Sequence, residues 1–139
     1  MSKPMAPDPA IGTWKLNIGK STFKLTPAPK SYVLKNEAWE DGLKSSVDII
    51  DDQGNRRRPE VAFKFNGKDY PLTDSPLADT LSAKRINERA TEIVWKKGGK
   101  AALTSRNVIS ADGKTFTVAR TGKDTHGGPI EDTLVLERQ

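Results

Sequence analysis

The chain has 139 residues, 35% of them hydrophobic and 29% charged, with a formal net charge of +5. That length suits one domain, and the mixture is too apolar for a disordered chain and too polar for a membrane protein. No apolar run reaches the ~18 residues of a transmembrane helix. With no cysteine and one histidine, disulfides, thiolate chemistry and multi-histidine metal sites are excluded.

Residues 1–10 read as a flexible N-terminal segment ahead of one domain at 11–139. The segment contains prolines and lacks the apolar stretch of a signal peptide. As written the chain reads as cytoplasmic. Removal of a signal peptide would make it periplasmic or secreted, and the absence of cysteine suits either compartment.

From Gly12 onward apolar residues recur with period two. Trp14, Leu16 and Ile18 alternate with Thr13, Lys15 and Asn17; Leu43, Val47 and Ile49 alternate with Lys44, Ser46 and Asp48. The same alternation runs through Val61-Phe63-Phe65, Ile93-Trp95, Phe116-Val118 and Leu134-Leu136. It marks strands with one buried face. Asp41-Gly42, Asn66-Gly67, Gly98-Gly99, Asp112-Gly113 and Gly127-Gly128 supply turns between them. Strands are predicted near 12–18, 31–39, 43–51, 58–65, 68–72, 79–87, 91–97, 100–110, 114–121 and 130–138. The longest irregular connection, 19–30, carries two prolines that oppose a helix. The predicted class is all-β: a single antiparallel up-and-down β-barrel of about 8–10 strands, because closure removes exposed edges.

Gly12-Thr13-Trp14-Lys15-Leu16 resembles the Gly-x-Trp first strand of the calycin superfamily, the lipocalins and fatty-acid-binding proteins. Leu134-Val135-Leu136-Glu137-Arg138 resembles its last strand, whose basic residue packs over that tryptophan. The segments at 12–17, 67–71 and 78–85 are similar to those of small bacterial lipocalin-like proteins. The resemblance implies structural roles for Trp14 and Arg138 and a barrel that holds a small ligand. Two departures stand out. No helical lid is predicted at 19–30, and the positions of the fatty-acid carboxylate clamp hold Leu134 and Leu136.

Polar residues on inward faces need partners or a ligand. Extending the alternation turns Tyr32, Tyr70, Arg85, Arg120 and Asp132 inward; the weak phase of its strand leaves Arg106 on either face. A turn at Gly122–Gly128 would set Arg120 opposite Ile130 and Val118 opposite Asp132. Arg120 and Asp132 would then be diagonal neighbours. They form either an anion-binding arginine oriented by a carboxylate or an ordinary ion pair at the barrel mouth. Among the inward aromatic residues, Trp14 belongs to the core, while Phe63, Phe65, Trp95 and Phe116 wall a cavity or complete that core. His126, in a glycine-rich turn, reads as solvated, and Arg56-Arg57-Arg58 as a solvated hairpin end. Neither a nucleotide-binding motif nor a calcium loop is present.

The leading expectation is a module that binds a small, largely apolar ligand, with or without an anionic group, in the cavity. The expected ligand-binding residues are Tyr32, Phe63, Phe65, Tyr70, Arg85, Trp95, Arg106, Phe116, Arg120 and Asp132. One alternative is a cofactor-independent enzyme with Asp132 as the candidate base and an arginine stabilising negative charge. A second is a binder of anionic surfaces or nucleic acid through Arg56–Arg58. The reading calls for no cofactor, metal or nucleic-acid partner, and for a monomer or weak homodimer.

Overall fold

The computed structural model describes residues 8–123 and 128–139. Eleven strands follow in chain order: β1 (Gly12–Leu16), β2 (Ser31–Trp39), β3 (Gly42–Ile50), β4 (Arg56–Arg57), β5 (Glu60–Phe63), β6 (Tyr70–Pro71), β7 (Thr80–Asn87), β8 (Ala90–Lys97), β9 (Lys100–Ile109), β10 (Thr115–Lys123) and β11 (Pro129–Arg138). Apart from a single 3-10 turn at Ile18–Lys20, no helix occurs among the described residues. None is therefore long and apolar enough to cross a membrane.

All strands join one antiparallel sheet in the order β4-β3-β2-β1-β11-β10-β9-β8-β7-β6, with β5 pairing β3. Consecutive strands are neighbours wherever a hairpin joins them, and β1 meets β11, so the two ends of the chain pair at the centre of the sheet. The sheet curls into a half-barrel of up-and-down strands, compatible with a calycin-like fold. Its outer strands approach each other through two isolated bridges, Glu60 to Thr73 and Asn66 to Lys84.

Most strand positions follow the period-two pattern. The short β4 is an addition, formed where Arg56 and Arg57 pair with Ile50 and Ile49. The register of the last hairpin also differs from the sequence reading. Arg120 faces Asp132 directly and Gly122 faces Ile130. β10 runs on through Gly122 to Lys123, which pairs with Pro129, and this extension shifts the pairing by two residues. A shift of two preserves the facing of every side chain.

Gly42 is required by a close approach, because a Cβ there would overlap the Phe63 carbonyl across the β3–β5 pairing. Gly12 sits at φ +136°, and a Cβ would lie 2.5 Å from Arg138 Nη1. The Gly-x-Trp spacing therefore makes room for the arginine that covers the tryptophan.

Trp14 is completely buried and meets the Phe116 ring edge-on at 5.2 Å. Its indole N–H donates to the Ala10 carbonyl at 2.9 Å, and the Arg138 guanidinium lies 4.2 Å above the ring. Arg138 also donates to the carbonyls of Pro9, Ile11 and Gly113. One side chain thus ties the segment ahead of β1, the β9–β10 turn and the core together. The packed body extends to Asp8, which pairs with Arg85, and to the buried Ala10.

The Trp14→Ala variant should lose about 3–5 kcal/mol of unfolding free energy, the cost of truncating a buried large aromatic. Urea denaturation gives the value. A loss under 1 kcal/mol would show that the indole does not organise this end of the sheet.

Candidate functional site

The concave face of the sheet encloses a cavity of about 110 Å³. That is the same order as the ~150 Å³ engineered cavity that admits a benzene molecule. Apolar side chains dominate the walls, including Leu34, Val61, Phe63, Leu81, Ile93 and Val118. Tyr32, Phe65, Arg85, Trp95, Phe116 and Arg120 also line it.

Arg120 and Asp132 form an ion pair at 3.0 Å, with side-chain exposures of 13% and 0%. The carboxylate does not line the cavity. It faces the connection after β1, accepting from the backbone N–H groups of Lys24 and Leu25 at 2.6 Å and of Thr26 at 3.2 Å. The Thr26 hydroxyl donates to it at 2.6 Å. β1 ends at Leu16, so the far half of β11 lacks that neighbour. Thr22 bridges Thr133 there, and Asp132 pins the next turn of chain.

Burial alone would raise the Asp132 pKa. The Thr26 hydroxyl, the Leu25 and Lys24 N–H groups and the Arg120 charge outweigh it and hold the carboxyl below its usual range. With its oxygens so occupied, Asp132 cannot serve as a base for a molecule in the cavity. Its part is to hold the chain and to orient Arg120.

Arg120 uses Nη2 for Asp132 and Thr26, while its Nε is buried without a partner. The only other buried side-chain polar atom without a partner among the described residues is Asn107 Oδ1. Asn107 also lines the cavity. Tyr32 stands near Arg120. Burial pushes its phenol up in pKa, and the Arg120 charge pulls it part of the way back. At neutral pH the phenol keeps its proton and can donate.

At the rim Arg85 pairs with Asp8 and stacks 4.1 Å over the Phe65 ring. Trp95 lines the wall and donates to the buried Ser105 hydroxyl at 3.2 Å. Besides Asp132, two expected residues lie outside the cavity lining. Tyr70 meets Trp39 edge-on, and its hydroxyl accepts from Asn66, in the region where the outer strands approach. Arg106 is exposed, because Leu103, Ser105 and Ile109 take the inward phase of β9. Asn107, which shares that phase, was missed for the same reason: β9 mixes polar and apolar residues on both faces.

The Arg56–Arg58 run is matched locally by acids. Arg56 and Arg58 pair with Asp48, and Arg57 pairs with Asp51. These are solvent-facing pairs of small energetic worth, but they offset the local charge. His126 lies outside the described residues. No group of acids and histidine able to hold a metal occurs among the described residues. The sequence matches no protein-family model and no curated protein.

A carboxyl held below its unfolded value contributes stability above the unfolded pKa of ~3.9, and that contribution is lost as pH falls through the folded value. Wild-type protein should therefore lose stability steeply below about pH 4. Asp132→Asn should cost about 3–5 kcal/mol at pH 7, because it leaves Arg120 buried without its counter-ion. Its stability should fall less between about pH 5 and pH 2, as read by denaturant titration at each pH. Parallel acid limbs in the two proteins would contradict this role.

Proposed function

We propose that this protein is a calycin-type carrier of a small, largely apolar molecule, held in the cavity with its polar end at Arg120. The observation that carries the reading is a cavity with mainly apolar walls that the Arg120 side chain, held by Asp132, also lines. Binding sites of this kind pair apolar walls with a few placed polar groups. The Gly12-x-Trp14 element under Arg138 supports the calycin assignment. Cavity size favours a molecule of one ring or a short branched chain over a long acyl chain. Saturation of Asp132 by five donors favours binding over acid–base catalysis.

Titration with ethylbenzene, followed by methyl NMR, should shift Leu34, Leu81, Ile93 and Val118. Val118→Phe, which fills the cavity, should weaken binding by about tenfold or more, or ~1.4 kcal/mol. The overpacking itself costs about 1–3 kcal/mol of stability, so the variant's fold is checked separately. Absence of any cavity-methyl shift in the wild type would refute the carrier reading.

A further inference from the structure

We infer that the tip of the β7–β8 hairpin gates the cavity, with the Asp8–Arg85 ion pair as its latch. The inference rests on the carrier reading and adds the route by which the molecule enters and leaves.

An open groove of about 820 Å³ lies beside the cavity. Ile11, Ala38, Gly42 and Ala111 supply part of its lining. Asp8, Arg85, Glu88 and Arg89 line both the groove and the cavity, so these four residues stand between the two spaces. Asp8 lies ahead of β1, while the other three belong to the turn end of the β7–β8 hairpin.

The two sides of this partition are held differently. Next to Asp8 the chain is fixed. The Ala10 carbonyl accepts from the Trp14 indole and the Asn36 amide, and Arg138 donates to the carbonyls of Pro9 and Ile11. The hairpin tip has less to hold it. A register shift between Arg85 and Asn87 interrupts its ladder, and Ile86 is left exposed. Such a bulge disrupts ladder bonding and re-aims the neighbouring side chains. Arg85 crosses to Asp8 at 2.5 Å and stacks on Phe65, near the Asn66–Lys84 bridge where the outer strands meet. The Arg85 and Asp8 side chains are 35% and 15% exposed. An ion pair that water reaches is weak enough to open and close readily. On the Arg120 side the corresponding pair is buried, and its carboxylate is also tied to the Lys24 and Leu25 N–H groups. Parting that pair costs far more. The tip that carries Arg85, Glu88 and Arg89 is therefore the part of the cavity wall that moves, and the groove is the way in.

The exchange of ethylbenzene, followed by NMR line shape, reads the gate. Asp8→Asn keeps the side-chain oxygen that accepts from the Ala10 N–H and removes the charge that holds Arg85. It should raise the association and dissociation rates together by about two- to fivefold, with little change in Kd, since opening enters both rates equally. The double variant Asp8→Cys, Arg85→Cys allows the opposite test, because the chain has no cysteine of its own. A short bismaleimide joining the two positions replaces the reach of the arginine. It should slow both rates by about tenfold or more relative to the same variant capped with N-ethylmaleimide. Hydrogen exchange reads the latch without a ligand. The Ile109 amide, which donates to the Arg89 carbonyl, should exchange faster in Asp8→Asn, and the Thr133 amide, which donates to Thr22, should not change. Equal rates in the bridged and capped proteins, or an Ile109 amide unaffected by Asp8→Asn, would overturn the gate while ethylbenzene still binds and the carrier reading stands. Failure of the wild type to bind ethylbenzene would sink the carrier reading and the gate with it.

Discussion

The buried Asp132 carboxylate joins the two features on which this molecule depends. β11 runs from Pro129 to Arg138 while β1 covers only Gly12–Leu16, so half of β11 needs another partner. A carboxylate aimed at the missing edge gathers the N–H groups of Lys24, Leu25 and Thr26 and closes the gap without a helix. Charge-assisted bonds of this kind are among the stronger ones available to a chain. The same carboxylate holds Arg120 through Nη2, and the Arg120 side chain lines the cavity. Closing the sheet and placing a guanidinium at the cavity wall are thus one arrangement.

The opposite end of the sheet is held by different chemistry. Arg138 lies on the Trp14 ring and collects three backbone carbonyls, and Asn36 donates to the Ala10 carbonyl and accepts from Ser45. These bonds satisfy nearly every polar group near the core, as buried polar groups require. Among the described residues two buried side-chain atoms are left over, Arg120 Nε and Asn107 Oδ1.

Much of the architecture was legible because period-two alternation is strong in β1, β3, β5, β10 and β11. Phe116, Val118 and Arg120 share the buried face of the sheet with Leu136, Leu134 and Asp132 opposite them, so the burial of Arg120 and Asp132 followed from parity alone, though not that the Asp132 carboxylate would turn to the connection after β1. Their exact register did not, since turn signals around Gly122 hid two further paired residues of β10. The partners of Asp132 lie in an irregular connection whose path no periodicity describes. Asn107 was invisible for a related reason. In β9 the outward face holds Thr104 and Val108 and the inward face holds Ser105 and Asn107, so neither face is marked by hydrophobicity. Tyr70 lies in a two-residue strand too short to carry a phase, and its register opposite Leu81 is set by β7.

The claim at the centre of this account is that Asp132 holds the Arg120 side chain at the wall of a cavity that takes a small apolar molecule. Proton–nitrogen NMR of the arginine side chains reads that group directly. The account predicts a protected Arg120 Nε–H resonance that shifts when ethylbenzene is added, with Arg89 little changed. An Arg120 resonance that exchanges freely with water and ignores ethylbenzene, while exposed Arg89 responds, would contradict it.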